Sequence, residues 1–453
     1  MTSRSVVLLL SVGANLLGVG YAALHLPLLP SQRPAATVEA ASAAPVCPAA
    51  PVCPEPTSPP SAAVVPAPAR KLRRLTVCER ASAPATLQSL ALDAGGTDSL
   101  AVHCGDSVHV LGLDSAGVRR IVRIDKAPAE PHLQARSAPV IAADISGDGL
   151  ADLVLGFAWQ DAAGNPRAGA LVELVRNRDG GFAAPRLLAP LHVSGLSAGP
   201  LDAQPGADIA VAYREDVRLG RPNELVVLHG GPSPVKLSVT KLTSSARTLD
   251  MLDIDLDGRA ELIVVNSPPD PPELLRLDHT AQRLERLEPW QIPADHALVL
   301  GDLNNDGQRD AIFYGTQLWV VLASRESAPA QLLVEHFGSS VLGVADVDFD
   351  GTLDLIGVRD GTLFALRQTS PLQFEKRAIA NLPHTDFVCD AIAVVSHAPT
   401  VVHLAVLGHR ANQPQGVELG LVSLERERES TTTWDDESLP LPDAPLCLRF
   451  RLP

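Results

Sequence analysis

Aromatic side chains make up only 4% of this 453-residue chain, which disfavours any surface that grips sugars or bases mainly by stacking. Positive charge is short as well, with 37 Lys and Arg against 52 Asp and Glu and a formal charge of −15. A general nucleic-acid binder needs a basic field, so nucleic acid is not an expected partner. Lysine is the scarcer cation (Lys71, Lys126, Lys236, Lys241 and Lys376), and that bias carries no functional reading. No P-loop and no Gly-rich dinucleotide turn occurs. The CxxC spacing of zinc sites is missing too, since Cys47 and Cys53 stand six apart. Apolar residues nevertheless reach 46%, which excludes disorder over the whole length. The length allows several domains or one large repeat domain with ample buried surface.

Long apolar runs are confined to the N-terminus. Val6 to Leu29 is broken only by small residues, Asn15, Tyr21 and His25, and Arg4 precedes it. At about 1.5 Å per residue this stretch is long enough for the ~30 Å hydrocarbon core of a membrane. It exceeds the usual apolar core of a signal peptide, roughly 7–15 residues, and Leu26-Pro27-Leu28-Leu29-Pro30 is a poor cleavage region. Residues 1–30 are therefore expected to form a hydrophobic helix, an uncleaved signal-anchor in preference to a cleaved signal peptide. Either would export the rest of the chain. Residues 31–70 are rich in Ala and Pro, with the near-repeat Pro45-Val46-Cys47-Pro48 and Pro51-Val52-Cys53-Pro54. Such a composition cannot bury a core, so a disordered, extended linker is expected, holding residues 71–453 away from a membrane.

Internal repetition organises the remainder. Four segments share an acidic loop followed by a short apolar strand: Ala143-DISGDGLADLVLG, Leu252-DIDLDGRAELIVV, Gly301-DLNNDGQRDAIFYG and Ala345-DVDFDGTLDLIGV. Oxygen-bearing side chains stand at loop positions 1, 3, 5 and 9. They are Asp144, Ser146, Asp148 and Asp152; Asp253, Asp255, Asp257 and Glu261; Asp302, Asn304, Asp306 and Asp310; and Asp346, Asp348, Asp350 and Asp354. Position 6 is always glycine (Gly149, Gly258, Gly307, Gly351). A hard cation explains the spacing. Ca²⁺ takes six to eight oxygens at roughly 2.3–2.6 Å, so a short loop must curl alternate side chains inward around it. Glycine permits the sharp turn, and the position-7 carbonyl (Leu150, Arg259, Gln308, Thr352) adds a ligand. Solvated Asp-Gly turns are common between strands, but four copies in one order favour a metal. An EF-hand is disfavoured, because position 12 lacks Glu and apolar β-branched runs flank the loops.

Degenerate copies surround Asp98, Asp208 and His403. Taking the last loop position of each copy gives 98, 152, 208, 261, 310, 354 and 403, hence seven units. Each unit parses as four short strands, in the fifth about 297–303, 309–315, 317–324 and 330–337, and in the sixth about 341–348, 353–359, 362–369 and 375–382. Four antiparallel strands at this period describe an all-β fold, a seven-bladed β-propeller with four-stranded blades. The acidic loops resemble the FG-GAP/VCBS repeats of integrin α-subunit propellers and of many bacterial exported proteins, over roughly residues 85–410. The resemblance implies that each loop joins the first and second strands of a blade and binds Ca²⁺ through the sixteen side chains above. It also implies adhesion or ligand binding more often than catalysis.

The expected protein is thus an exported, membrane-tethered propeller. It would be periplasmic, cell-surface or secreted, hold about four structural Ca²⁺, and recognise a macromolecule (protein or polysaccharide) without catalysis. The alternative is a propeller-scaffolded enzyme acting on an extracellular polysaccharide, which would need an acid/base pair outside the loops. Fourteen loop carboxylates account for nearly all of the −15 formal charge, so calcium should stabilise the domain. Six cysteines in an exported chain suggest disulfides. A propeller closes by joining its chain ends, and a Cys78–Cys447 bond would staple first strand to last, with Cys104 and Cys389 reinforcing that seam. The rival set is Cys78–Cys104 with Cys389–Cys447, and Cys47 and Cys53 pair locally or between chains. The elbow-like Gly195-Leu196-Ser197-Ala198-Gly199 lies in a strand with no helix after it, which argues against a nucleophile. His397, His403 and His409 read as ordinary strand or loop histidines. Loops 157–168, 213–223 and 265–273, with Trp159, Arg167, Arg214, Arg218 and Arg221, are either a contact surface or simply solvated.

Overall fold

The computed structural model describes residues 69–451 apart from 79–85, 93–98, 105–106, 115–116, 128–132, 137–138, 164, 203–205, 214–222, 232–234, 279–282, 289, 325–327, 383–385, 399–400, 426–433 and 441–446. The described residues all belong to one unit, within residues 64–453. The expected N-terminal helix and the linker to residue 68 lie outside the described residues. Among the described residues no helix is long and apolar enough to cross a membrane.

Seven sheets follow one another along the chain and form a seven-bladed β-propeller with four antiparallel strands per blade, those of blades 1 and 7 carrying a fifth, parallel strand. Blade 5 shows the plan: Ala297–Gly301, Asp310–Tyr314, Leu318–Val321 and Gln331–Val334 are paired in sequence order, close to the expected spans. The second strand of each blade is apolar on both faces because it is covered from both sides. In Asp310–Tyr314, Ala311 and Phe313 enter a core shared with Leu252, Ile263 and Val265 of blade 4. Ile312 points the other way, into a core with Leu355 and Phe364 of blade 6. Strand period 2 thus sends alternate residues into the two neighbouring inter-blade cores.

Closure differs from the expected pairing of first strand with last. Ala69–Cys78 lies antiparallel to Gln413–Glu425 and becomes the fourth strand of blade 7. The last strand, Cys447–Arg451, runs parallel to Gly117–Ala127 on the edge of blade 1. The disulfide follows this geometry: Cys78 is bonded to Cys104, with Cα atoms 5.5 Å apart. That bond joins blade 7 to blade 1 within an inter-blade core that includes Leu100, Val102, Leu407 and Leu419. The seam is stapled as anticipated, by the rival pair and not by Cys78–Cys447. The second half of the rival set does not form, because Cys389 is a free thiol whose pKa burial, with Asp390 beside it, pushes up to about 12.

Candidate metal centre

Every acidic loop connects the first strand of a blade to its second. The first strands are Val140–Ala143, Ala246–Leu252, Ala297–Gly301 and Gly343–Ala345 in blades 2, 4, 5 and 6. Position 9 opens the second strands Asp152–Gln160, Glu261–Asn266, Asp310–Tyr314 and Asp354–Arg359. Position 1 organises the turn through its carboxylate. Asp302 accepts the amide N–H groups of Asp306 and Gly307 at 3.0 and 2.8 Å, Asp253 those of Asp257 and Gly258, and Asp346 those of Asp350 and Gly351. Asp144 does the same for Asp148 and Gly149 and also takes the N–H of Gly147. The position-6 glycines have φ between +85° and +92°, where a side chain is strained. Position 4 is left-handed too, at Gly147, Leu256, Asn305 and Phe349. The sequence pattern carries no sign of this, since three of the four are not glycine.

Position 9 is the buried anchor. Asp152, Glu261, Asp310 and Asp354 are all 0% exposed. Asp310 accepts the N–H of Leu303 from its own loop at 2.8 Å and that of Ala323, just past the third strand, at 2.9 Å. Asp354 does likewise with Val347 and Gln368, and Asp152 with Ser146 and Arg176. Glu261 takes the Ile254 N–H and the Arg276 guanidinium. Burial pushes the carboxyls of Glu261 and Asp310 above their ordinary values and that of Asp354 up to about 6. Such groups favour either a proton or a neighbouring cation.

In blade 4 the carboxylate oxygens of Asp253, Asp255 and Glu261 come within 4.8 Å of one another, and in blade 6 those of Asp346, Asp348 and Asp354 do so. Blades 2 and 5 carry Ser146 and Asn304 at position 3 and so have one carboxylate fewer there. Ser146 Oγ is buried and meets no hydrogen-bond partner among the described residues. An orphaned hydroxyl in a loop whose other side-chain donors are carboxylate oxygens suits a hard cation.

A third group of this kind, Asp202, Asp208 and His229, occupies the degenerate loop of blade 3. His229 Nδ1 lies 2.9 Å from Asp202 and 3.0 Å from Asp208. Asp208 keeps the position-9 anchor, accepting the N–H groups of Leu201 and Gly230. The repeat pattern marks Asp208 as a relic but misses His229, which comes from a different strand.

The other expected surfaces look different in the structure. Trp159 is 1% exposed and stacks near Phe157, because the strand Asp152–Gln160 runs on past the expected loop start. Arg167 is paired with Asp161, 2.8 Å away, and Arg214, Arg218 and Arg221 lie outside the described residues. His403 and His409 have separate partners, Ser423 and Asp390, and the side chain of His397 lies outside the described residues. Ser197 sits on the innermost strand of blade 3, with Oγ 3.4 Å from Asp250. Both belong to the strands around a central channel of about 970 Å³, where Asp250 and Asp346 are the only carboxylates among the described lining residues. Burial raises the Asp250 carboxyl above its ordinary value, opposed by the Met251 N–H, Arg309 and Ser197.

Fold and loops together define a seven-bladed propeller with acidic turns between first and second strands. Similar solved structures include a lectin of Agrocybe aegerita that recognises non-reducing terminal N-acetylglucosamine, at 14% identity and TM-score 0.46, covering 76% of this chain and 93% of that one. A protein of unknown function from Dyadobacter fermentans matches at 11% identity and TM-score 0.39, covering 66% and 97% of the two chains. Sqt1 of Saccharomyces cerevisiae matches at 10% identity and TM-score 0.43, covering 77% and 88%. No protein-family model matches the chain, and the search of curated proteins returns no significant match.

Proposed function

We propose that the chain is an exported propeller of the FG-GAP/VCBS kind, tethered through its N-terminal segment, which uses calcium as a structural element and binds a macromolecule without catalysis. The observation that carries this reading is the repeated loop. In four blades a carboxylate at position 1 gathers two or three loop amides, and oxygen side chains recur at positions 3, 5 and 9 of the same turn, those of positions 1, 3 and 9 closing to within 4.8 Å in blades 4 and 6. Each loop is contiguous, so side chains plus one carbonyl supply about five ligands and leave room for a water or two. Against the polysaccharide-cleaving alternative, glycoside hydrolysis ordinarily uses two carboxyl groups, and outside the calcium loops the described channel lining offers one, Asp250.

The test is Asp350→Ala. The calcium-dependent part of the melting temperature should shrink, while binding of a partner captured by the calcium-loaded wild type should change little. An unchanged melting curve together with lost partner binding or a lost hydrolytic activity would make the site functional and overturn the structural assignment.

A further inference from the structure

Strand pairing places one residue of each blade beside its acidic loop, although its distance along the chain varies. The second-strand residue after loop position 9 pairs with a third-strand residue: Leu153 with Leu174, Leu262 with Leu275, Ala311 with Val321, and Leu355 with Leu366. The next residue on the third-strand side is Val175 in blade 2, Arg276 in blade 4, Leu322 in blade 5 and Arg367 in blade 6. Arg276 contacts Asp255 through Nη2 and Glu261 through Nε at 2.8 Å. Arg367 contacts Asp348 through Nε and reaches Asp350 at 3.6 Å. Both guanidinium groups therefore meet the position-3 carboxylate. Where position 3 is neutral, at Ser146 and Asn304, the facing residue is aliphatic. The match holds in all four blades.

We propose that this third-strand residue sets the charge of its loop, a reading that rests on the calcium assignment above. Among the contacts of the described residues, the three loop carboxylates of blades 2 and 5 meet no side-chain cation, whereas the four carboxylates of blades 4 and 6 meet one arginine. Each loop thus presents a net charge of −3, set for one divalent cation. Arg259 and Arg309 lie within loops but are exposed and form no ion pair with the loop carboxylates among the described residues. In blade 3 the equivalent residue, following the pair Ile209 with Leu228, is His229, which lies between Asp202 and Asp208. Arg276 and Arg367 are positioning residues. They hold one oxygen of the position-3 carboxylate and leave the other to the ion.

The experiment compares wild type, Arg367→Leu and Asp348→Asn/Arg367→Leu as full-length chains. Bound calcium is counted by metal analysis, affinity is read by calorimetry, and melting is followed in EDTA. All three should hold four calcium ions. Arg367→Leu leaves one loop at −4, so one site should tighten about tenfold, and the EDTA melting temperature should fall by about 2–4 °C. The double variant recreates the Asn304/Leu322 pair of blade 5 and should return both values to wild type. Should Arg367→Leu gain one calcium ion over wild type, the guanidinium occupies the metal's own place and the proposal is overturned. Identical EDTA melting of the single and double variants would overturn it as well, with the calcium assignment intact. No calcium in any chain, but rescue in EDTA, would remove the calcium reading and leave the charge pairing standing. Asn304→Asp with and without Leu322→Arg repeats the test in blade 5 without deleting an ion pair, should Arg367→Leu fail to fold.

Discussion

The loops of blades 3 and 5 do the same structural task by different means. In blade 5, Asp310 is anchored by two backbone amides and Leu303 is buried, while Asn305 to Arg309 are exposed. In blade 3, Asp208 is anchored by two backbone amides in the same way, but the loop leans on its neighbour. The Ala207 N–H donates to the Asp144 carbonyl at 2.7 Å, and the Gly231 N–H to the Ile145 carbonyl at 2.6 Å. His229 supplies a side-chain contact between Asp202 and Asp208. The anchor carboxylate therefore belongs to the fold, and the remaining oxygens are a separable addition. A blade can lose the ion pattern and keep its turn, provided other contacts hold the loop.

Removing the anchor should have the largest effect, and a similar one in both blades. Asp310→Ala and Asp208→Ala each strand two buried amide donors, which costs about 3 kcal/mol in total. Chemical denaturation in EDTA measures both. A much smaller loss for Asp208→Ala would break the comparison, showing that the blade 3 anchor is dispensable. The glycines separate the loops next. Gly307 has φ +85° with nothing near its missing Cβ, so Gly307→Ala should cost about 1 kcal/mol, from backbone strain alone. Gly206 has φ +95°, and a Cβ there would lie 2.9 Å from the Ile145 carbonyl oxygen and 3.1 Å from the Gly231 nitrogen. Gly206→Ala should therefore cost about 2 kcal/mol or more, because overpacking adds to strain. Equal losses would mean that the blade 2–blade 3 contact is loose.

The loops and blades were legible in the sequence because their determinants are local. A turn whose alternate side chains carry oxygens and cap its own amides has a spacing that reads directly from Asp302 to Asp310, and the apolar second strand comes immediately after it. What escaped was set by pairing. His229, Arg276 and Arg367 share one place in their blades, yet follow position 9 by 21, 15 and 13 residues, since hairpin lengths differ. No fixed spacing could reveal them. The closure seam was foreseen from propeller geometry, but the partner of Cys78 depended on which strand fills blade 7. Trp159 was misplaced for a simpler reason: an apolar strand end and a loop start look alike over two or three residues.

The finest difference expected between the two loops is in their response to added calcium. Asp306 is exposed, and its carboxylate accepts the Gln308 N–H and the Asn304 amide, both at 2.8 Å. Asp306→Ala should cost only about 0.5 kcal/mol in EDTA, since water replaces those exposed bonds. In calcium it should remove one bound ion and that ion's share of the stabilisation, which grows as RT ln(1 + [Ca²⁺]/Kd). Asp202 holds position 1 of the blade 3 loop, but no carboxylate stands between it and Asp208, and His229 already lies 2.9 Å from it. Asp202→Ala should therefore lower stability by a similar small amount in EDTA and calcium alike, with the bound-calcium count unchanged. Metal analysis and paired melting curves decide the matter. Loss of one calcium ion from the Asp202→Ala chain would make blade 3 a fifth metal loop and erase the distinction drawn between the blades.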